Sequence, residues 1–264
     1  MGKLDQKIAI VTGAGQGIGR STAKRLGAEG GTIVVADRVD EGATQTIAEL
    51  KEHGVETLKV LADFGTFAAA QELINKTVAA YGRIDVLVNN VGGTIFIKPF
   101  HLYTEEEVKL ELERSLHPTF WCCLAVLPVM MKQQSGSIVN LGSQSTRGLY
   151  RLPYATSKGG ILALTKVMAM EYGRYGIRIN AMAPGGTEIS DRVVPRQFIR
   201  PGVTVDEPEA EAEYRREMAE DIRAQQALRR RGLPEEQAAA IAFLASDDAS
   251  FITGQVINCS GGQS

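Results

Sequence analysis

The sequence predicts an α/β fold in which a doubly wound parallel sheet forms one domain spanning residues 1–264. Seven short runs of apolar, largely β-branched residues alternate with longer segments of helical periodicity. The runs are apolar throughout rather than at every second position, as expected for strands covered on both faces of a parallel sheet. Several of the longer segments end at glycine, which commonly terminates helices.

The predicted strands follow one another at intervals that leave room for a helix between neighbours. They are residues 7–12, 32–37, 55–63, 84–90, 136–143, 177–184 and 255–262. Segments 18–30, 42–54 and 68–82 have apolar residues at spacings of three and four, so we predict helices there. This alternation also predicts that a ligand binds beyond the carboxyl ends of the strands.

The segment 188–231 differs from the rest of the chain. It is charged, spaced by prolines, rich in Arg and Glu, and inserted before a helix that we expect to begin near Pro234. It is either a lid over the ligand site or a solvated excursion. Its position beside the strand ends favours the lid.

Composition limits the classes of function. The 264 residues are 44% hydrophobic, enough to bury one sizeable core, and a net charge of −2 leaves no basic surface for nucleic acid or an anionic membrane. A small neutral or anionic ligand is the expected partner. Cys122, Cys123 and Cys259 lack metal-ligand spacing, and we predict no metal. The cysteines suggest no disulfide framework either, which favours the reduced cytoplasm. The N-terminus resembles no signal peptide, and no segment is long enough to cross a bilayer.

A glycine-rich turn, TGAGQGIG, follows the first predicted strand and opens a helix. Its Gly13, Gly17 and Gly19 allow a tight turn in which backbone N–H groups approach a pyrophosphate. The spacing is G-x-x-x-G-x-G, and glycines alone are weak support, because any tight strand-helix turn can need them.

An acidic residue, Asp37, closes the second predicted strand. A carboxylate there accepts hydrogen bonds from a ribose 2′-hydroxyl and repels a 2′-phosphate, so we predict NAD rather than NADP. The neighbouring Arg38 weakens this discrimination, whereas Gln16 in the turn adds no second positive charge.

Polar residues at the ends of the next two strands allow two interpretations each. Asp63 is either an adenine contact or the N-cap of the following helix. Asn89 and Asn90 either tie the fourth strand to its neighbours or contact the ribose.

Tyr154 and Lys158 are four residues apart and share one face if residues 152 onward are helical. A phenol that removes a hydroxyl proton needs its pKa lowered, and the Lys158 ammonium supplies a cation for this. Ser143, at the end of the fifth strand, is placed to bind the substrate oxygen, with Ser145 as the alternative. A surface Tyr-Lys pair is common by chance, so the prediction depends on its combination with the glycine turn.

Six motifs occur in order along the chain: TGAGQGIG, LVNNVGG, SIVNLGS, YATSK, IRINAMAPGG and FLASDDASFITGQVI. Together they resemble the short-chain dehydrogenase/reductase family over essentially the whole sequence. The resemblance implies a Rossmann-type seven-stranded sheet in the order 3-2-1-4-5-6-7. It implies Tyr154 as catalytic base, Lys158 as ribose contact and Ser143 as the group that orients the substrate. It also implies a homotetramer built from helices around 104–132 and 154–173.

The same resemblance places Thr187 and the backbone after Pro184 at the nicotinamide carboxamide, although Ile189 occupies the position of the family's usual threonine. The predicted cofactor contacts are Gly13, Gln16, Gly17, Ile18, Gly19, Asp37, Asp63, Phe64, Asn90, Tyr154, Lys158, Pro184, Gly185 and Thr187.

The chain departs from the family pattern in the helix before the fifth strand. Ser115 stands where the family usually has a catalytic Asn, and Pro118, expected inside the same helix, lacks the N–H that would bond the carbonyl of Arg114. We hypothesise that this carbonyl or the Ser115 hydroxyl holds the relay water that Asn otherwise binds. The alternative is a packing kink without a catalytic role.

Within the family, NNVGGTIFIKPF, RSLHPTFWCC, TRGLYRLPY and APGGTE resemble the dehydrogenases of carboxylated cis-dihydrodiols. The implied substrate is 1,6-dihydroxycyclohexa-2,4-diene-1-carboxylate or an alkylated relative. A guanidinium suits its carboxylate, and we predict Arg147 for this role with Arg151 as the alternative. A surface salt bridge explains either arginine about as well. Thr94, Phe96 and His117 are predicted to line the ring pocket, unless His117 serves helix packing.

Other functions remain open at this point. One is a dehydrogenase of another ring diol, such as p-cumate dihydrodiol, and another is a general alcohol or 3-oxoacyl reductase, against which Asp37 argues. A third, outside catalysis, is an NAD-binding sensor, which Ser115 in place of Asn favours. The presence of Ser143, Tyr154 and Lys158 argues against the sensor.

Overall fold

Seven parallel strands form the central sheet of the computed structural model, which describes residues 2–190, 192–193, 198–200, 203–204, 209 and 211–263. The strands in chain order are β1 (Ile8–Thr12), β2 (Thr32–Asp37), β3 (Thr57–Leu61), β4 (Val86–Asn89), β5 (Gly136–Leu141), β6 (Ile177–Pro184), β7 (Phe198–Arg200), β8 (Val203–Thr204) and β9 (Val256–Cys259). The sheet order is β3-β2-β1-β4-β5-β6-β9, while β7 and β8 form a separate antiparallel pair. The predicted Rossmann-type fold, its seven strands and their order are confirmed.

Helices cover both faces of the sheet. They are α1 (Gly17–Ala28), α2 (Asp40–Glu52), α3 (Phe67–Tyr81), α4 (Glu105–Ser115), α5 (His117–Gln133), α6 (Leu152–Tyr172), α7 (Glu211–Gln225) and α8 (Pro234–Ala245). Side chains of α1, α2 and α8 pack in the core on one face, and those of α3, α5 and α6 pack on the other.

The continuous apolar strands follow from this double cover. In β1, Ile8 and Ile10 belong to the core on the α5 face, whereas Ala9 and Val11 belong to the core on the α1 face. Successive side chains of a strand point to opposite faces, so a strand buried on both sides has no position that favours a polar residue.

Local signals set several helix ends. The Thr66 hydroxyl accepts from the Ala69 N–H to cap α3, which ends at Gly82 with φ +74°, a conformation suited to glycine. Thr104 and Glu107 form a reciprocal capping box at the start of α4.

The helix predicted around 104–132 is two helices, which corrects the expected position of Pro118. The break falls at Leu116, and Pro118 lies in the first turn of α5 rather than inside a continuous helix. The physical reason is that proline lacks an N–H to continue the ladder but is tolerated in a first turn, where that N–H would have no partner.

The fold leaves a crevice above the middle of the sheet. Strand β1 pairs with β2 on one side and β4 on the other, so the chain leaves this point toward opposite edges of the sheet. A crevice opens at such a switch point beyond the carboxyl ends of the strands, and ligands bind there.

The segment 188–231 begins and ends beside β6. Thr187 pairs with Gly232 in an isolated parallel bridge, and the Glu188 N–H donates to the Gly232 carbonyl at 2.9 Å. Within the segment, α7 packs Met218 and Ile222 against Ile97. The insertion therefore returns to its starting point and lays one helix against the loop that follows β4.

Candidate active site

One cleft lies at the carboxyl ends of the central strands, where the topology predicts it. It has a volume of about 330 Å³ and is bordered by the loops that follow β1 to β6 and by α7. Most of the predicted site residues line it: Gly13, Gln16, Gly17, Ile18, Gly19, Asp37, Asp63, Phe64, Asn90, Thr94, Ser143, Tyr154, Lys158, Pro184, Gly185 and Thr187. Four predicted site residues do not line it: Phe96, Ser115, His117 and Arg147.

The glycine turn needs its glycines for two reasons. Gly13 and Gly17 have φ values of +63° and +52°, in the left-handed region that favours glycine. A Cβ on Gly19 would lie 2.0 Å from the Gly13 carbonyl oxygen, so no side chain fits there. The turn is thus packed backbone against backbone at the edge of the cleft.

The N-terminus of α1 faces the cleft without a side-chain cap or an acidic residue in its first turn. The side chain of its N-cap residue, Gln16, is turned elsewhere, because Oε1 accepts from the Val193 N–H at 2.9 Å. The N–H groups of a first helical turn attract anions through hydrogen bonds and the helix dipole. This uncapped helix end fits the pyrophosphate of a dinucleotide.

Asp37 is held rigidly at the cleft wall. Its Oδ2 accepts from the Gly15 N–H at 2.8 Å and its Oδ1 accepts from the Val39 N–H at 3.0 Å. Arg38 also lines the cleft, but its guanidinium is 3.9 Å from the carboxylate of Asp63, and burial lowers the pKa of Arg38. Asp37 and Asp63 thus both lie near the Arg38 guanidinium at this end of the cleft. The carboxylate of Asp37 is placed to accept hydrogen bonds from a ribose diol.

The two interpretations of Asp63 are now resolved in part. Its Oδ1 accepts from the Gly65 N–H at 3.1 Å, while Thr66 caps α3. The alternative of a helix cap is therefore wrong, and Asp63 forms a turn that borders the cleft.

The neighbouring asparagines have different environments. Asn89 is buried and its Nδ2 donates to Asn140 Oδ1 at 2.9 Å, which ties β4 to β5. Asn90 lines the cleft, and its Nδ2 donates to the carbonyls of Thr12 and Gly13, each at 3.0 Å. Asn90 thereby fixes the glycine turn from the opposite side of the crevice.

Tyr154 and Lys158 lie on one face of α6, as their spacing predicts. Lys158 Nζ is 5.9 Å from the centre of the Tyr154 ring and donates to the Leu141 carbonyl at 2.8 Å. Only 3% of Lys158 is exposed, and burial lowers its pKa from 10.5 to about 8. The lysine is a desolvated cation that the end of β5 fixes beneath the tyrosine.

Ser143 and Ser145, the two candidates for binding the substrate oxygen, both line the cleft and are hydrogen-bonded to each other. Their hydroxyl oxygens are 2.6 Å apart, and the Ser145 N–H donates to Ser143 Oγ at 3.0 Å. Because Ser145 Oγ and its own N–H both point at Ser143, the pair orients the Ser143 hydroxyl.

The prediction that the Ser115 hydroxyl enters the site is corrected by its position. Ser115 is fully buried outside the cleft, where Oγ accepts from the Gly93 N–H at 3.2 Å and lies 3.4 Å from the Gly93 carbonyl. Its hydroxyl is used to hold the loop after β4. The other half of the hypothesis, a relay through the Arg114 carbonyl, stays a prediction; Pro118 has no N–H for that carbonyl, and both residues line the cleft.

The preference for Arg147 is likewise corrected. A short 3₁₀-helix at Gln144–Arg147 turns this side chain outward, and it is exposed and outside the cleft lining. Arg151 lines the cleft instead, with its guanidinium carbon 5.9 Å from the centre of the Tyr154 ring. The sequence signal was available: Arg151, Tyr154 and Lys158 are spaced by three and four residues, as on one helix face.

The remaining predicted pocket residues divide in the same way. Thr94 lines the cleft, whereas Phe96 is buried outside the lining and His117 packs on Trp121 with ring centres 5.9 Å apart. Packing is therefore the role of His117. Ile189, in place of the usual threonine, lies over the glycine turn, where a Cβ on Gly17 would meet it at 3.1 Å.

The sequence analysis predicts a lid within 188–231 but does not name the residues of α7 that reach the cleft. Met218 and Ile222 line the cleft from this helix. Their spacing of four within an otherwise charged segment, EAEYRREMAEDIRAQ, is a signal for one apolar helix face.

The described residues contain no group of three or more His, Cys, Asp or Glu side chains arranged to hold a metal. None of their helices is long and apolar enough to cross a membrane.

Comparison with known proteins agrees with the geometry. Residues 7–197 match the short chain dehydrogenase family, and residues 191–264 match a family described as enoyl-(acyl carrier protein) reductase. The chain belongs to the short-chain dehydrogenase family. As a short-chain dehydrogenase it is an oxidoreductase that uses a nicotinamide cofactor, and the uncapped α1 terminus and the wall at Asp37 suit that cofactor.

Individual relatives of this short-chain dehydrogenase cover nearly its whole length. It is 45% identical to a 1,6-dihydroxycyclohexa-2,4-diene-1-carboxylate dehydrogenase of Acinetobacter baylyi, over 98% of this chain and 97% of that protein. It is 43% identical to the protein of the same name from Pseudomonas putida, over 98% and 93%. The solved structure of levodione reductase matches with a TM-score of 0.86 at 33% identity, covering 98% of each chain.

Proposed function

We propose that this dehydrogenase oxidises a carboxylated cis-dihydrodiol of the 1,6-dihydroxycyclohexa-2,4-diene-1-carboxylate type, with NAD as oxidant. The observation on which the proposal depends is the position of Arg151, whose guanidinium stands beside the Tyr154 ring inside the cleft. A substrate carboxylate bound there would bring its carbinol toward the tyrosine. The names of the two relatives at 45% and 43% identity support the same substrate class.

The chain's own groups account for the movement of the proton. Bound NAD supplies a hydride acceptor. Ser143 donates a hydrogen bond to the carbinol oxygen, and Tyr154 takes the hydroxyl proton as the C–H bond breaks. The Lys158 ammonium favours the phenolate form of Tyr154 through its charge, and its bond to the Leu141 carbonyl keeps it in place.

The product explains the loss of carbon dioxide. Oxidation of the secondary alcohol gives a ketone β to the ring carboxylate. Cleavage of the bond between the ring and the carboxyl carbon leaves its electron pair on the ring as an enolate. With the two ring double bonds this enolate is an aromatic catecholate, and its oxygen takes up a proton to give a catechol. The net reaction converts the diol carboxylate and NAD to a catechol, carbon dioxide and NADH.

The choice of NAD over NADP rests on Asp37. Its carboxylate is fixed by two backbone N–H groups at the cleft wall and would repel a 2′-phosphate. Arg38 would otherwise attract that phosphate, but it is paired with Asp63.

Paired arginine variants test the substrate. We expect Arg151→Gln to raise KM for the benzoate-derived cis-diol carboxylate about tenfold or more, and to change KM little for an uncarboxylated cis-diol. Arg147→Gln, an equal loss of charge on the exposed side of the same loop, is the control and should leave both values unchanged. Equal losses on both diols in Arg151→Gln would remove this residue from carboxylate binding.

A single assay of the wild-type protein separates the alternatives. NADH formation and carbon dioxide release are followed with the carboxylated diol and then with an uncarboxylated one. Both signals with the carboxylated diol support the proposal. NADH without carbon dioxide indicates a plain diol or alcohol dehydrogenase, and no turnover on either diol favours a sensor.

The segment 188–231 acts in this proposal as the lid of the substrate site, since Met218 and Ile222 of α7 line the cleft.

A homotetramer in the cytoplasm completes the proposal. Exposed apolar side chains lie on both helices that the family resemblance assigns to the interface, among them Phe120 and Leu124 on α5 and Val167 and Met170 on α6. Light scattering after size-exclusion chromatography measures the mass directly.

A further inference from the structure

The loop that follows β4 is held by side chains rather than by a strand partner. Glu111 of α4 is fully buried, and its Oε1 accepts from the N–H groups of Ile95 and Phe96 at 2.7 and 2.9 Å. The same oxygen lies 3.4 Å from the hydroxyl of Thr94, which lines the cleft. One carboxylate oxygen thus fixes the backbone of residues 94–97 (the 94–97 wall), of which Thr94 lines the cleft and the other three are buried outside its lining.

A second buried carboxylate holds the next residue of the loop from the opposite side. Glu211, the first residue of α7, is only 4% exposed, and its Oε2 accepts from the Ile97 N–H at 3.2 Å. Arg215, one turn later, donates to the same oxygen at 3.2 Å. Three successive N–H groups therefore donate to two glutamates, one on the body of the fold and one on the insertion.

A lysine joins the two helices at this point. Lys98 Nζ is 2.6 Å from Glu107 of α4 and 4.0 Å from Glu211 of α7. Its side chain is 14% exposed, so the two attractions are weakly screened. Lys98 thereby links the Glu211 carboxylate electrostatically to Glu107 of α4.

Apolar contacts continue the same junction toward the cleft. Ile97 packs against Met218 and Ile222, and these two side chains of α7 line the same cleft as Thr94. The wall at 94–97 and the cover supplied by α7 are thus one packed unit. A displacement of α7 would release the Ile97 N–H and the cleft lining together.

We propose that Glu211 is a positioning residue that couples the docking of α7 to the 94–97 wall of the substrate site, with Glu111 as its fixed counterpart on α4. Burying a carboxylate is costly unless N–H groups and cations satisfy it. Glu111 Oε1 and Glu211 Oε2 are satisfied chiefly by this loop and its neighbours, so the geometry of the wall depends on them. The second oxygen of each glutamate is buried without a hydrogen bond from the described residues. The part of the inference that concerns substrate affinity rests on the proposed function, whereas the coupling of α7 to the loop does not.

Hydrogen exchange measured by mass spectrometry tests the coupling without any substrate. In Glu211→Ala, we expect the amides of 95–97 and of the first turns of α7 to exchange at least about tenfold faster, since the accepting oxygen is lost. Glu211→Gln keeps an accepting oxygen and should restore most of the protection at Ile97. Glu220→Ala, which removes an exposed carboxylate from the same helix, should leave exchange at 95–97 unchanged.

Kinetics with the benzoate-derived cis-diol carboxylate test the positioning role. Glu211→Ala should raise KM for the diol about tenfold, with kcat and the affinity for NADH, measured by fluorescence, changed less than about twofold. A general loss of structure would instead lower all three, and thermal unfolding followed by circular dichroism checks this. The Glu211 variants suffice if Glu111→Ala does not fold.

Two results would overturn the inference. Unchanged exchange at 95–97 in folded Glu211→Ala would refute the coupling, and faster exchange with an unchanged KM would refute the positioning role. If the wild-type protein does not oxidise the diol carboxylate, the proposed function fails, and exchange still decides whether Glu211 couples α7 to the loop.

Discussion

Replacing Lys158 with methionine removes a buried cation while keeping a side chain of similar length. Burial lowers the pKa of Lys158 from 10.5 to about 8 in the folded protein. This change corresponds to about 3 kcal/mol by which the folded state disfavours the charged lysine at neutral pH. The active site therefore contains a group that destabilises the fold.

The lost hydrogen bond opposes part of this gain. Lys158 Nζ donates to the Leu141 carbonyl at 2.8 Å, and leaving a buried carbonyl without a donor costs about 1 to 2 kcal/mol. We therefore expect Lys158→Met to raise the free energy of unfolding by about 1 to 2 kcal/mol at pH 7, and to abolish turnover.

The pH dependence identifies the cause. Because the pKa is lowered in the folded state, the unfolded chain binds more protons than the folded protein between about pH 8 and 10.5. The wild type therefore gains stability relative to the variant as pH rises through this window. Below pH 8 the free-energy cost of burying the charged Lys158 is constant, and above pH 10.5 this cost is absent. Tyr103 and the buried cysteines titrate in both proteins and cancel in the difference.

Urea unfolding at pH 7 and at pH 10, at one protein concentration, measures both free energies. Lys51→Met is the matched control, since Lys51 is exposed near the end of α2. The advantage of Lys158→Met should shrink or reverse at pH 10, while the control shows no such trend. A difference between wild type and Lys158→Met that is equal at the two pH values would refute the reasoning.

Three further variants test other parts of the site and the fold. Tyr154→Phe should lower kcat at least about 10³-fold while NADH fluorescence titration shows nearly unchanged binding; retained turnover would exclude Tyr154 as the base. Asp37→Asn should raise the affinity for NADPH relative to NADH about tenfold, and an unchanged ratio of dissociation constants would separate Asp37 from the ribose. Asp85→Ala should lower the free energy of unfolding in urea by about 2 to 3 kcal/mol, because Asp85 Oδ2 accepts from the buried Ile8 N–H at 2.9 Å and the carboxylate pairs with Arg83. A loss below about 0.5 kcal/mol would contradict that estimate.

The features that could be predicted from the sequence depend on residues that are close together in the chain. The strands were visible as apolar runs because both faces of the sheet are covered, so even the seven-strand pattern did not depend on knowing the partners of each strand. The glycine turn needs positive φ and close backbone contact at fixed spacing, and the Tyr154–Lys158 pair needs only the period of one helix. Each of these is a property of a few neighbouring residues.

The features that could not be predicted from the sequence depend on contacts between residues that are distant in the chain. Whether Arg147 or Arg151 faces the cleft depends on a single 3₁₀ turn between β5 and α6. The spacing of Arg151, Tyr154 and Lys158 favours Arg151 only once the start of α6 at Leu152 is known. The Ser115 hydroxyl was expected in the active site, but it accepts a hydrogen bond from the Gly93 N–H. Gly93 lies in another part of the chain and comes near Ser115 only in the folded structure.

The substrate wall shows the same division most clearly. The sequence by itself determined that this chain forms a doubly wound sheet with a dinucleotide turn and a Tyr-Lys pair above it. Only the tertiary structure decided that Glu111 and Glu211, far apart in the chain, would hold neighbouring amides of one loop. The physical reason is that a buried carboxylate is stable only where several donors converge, and that convergence arises when the helices pack.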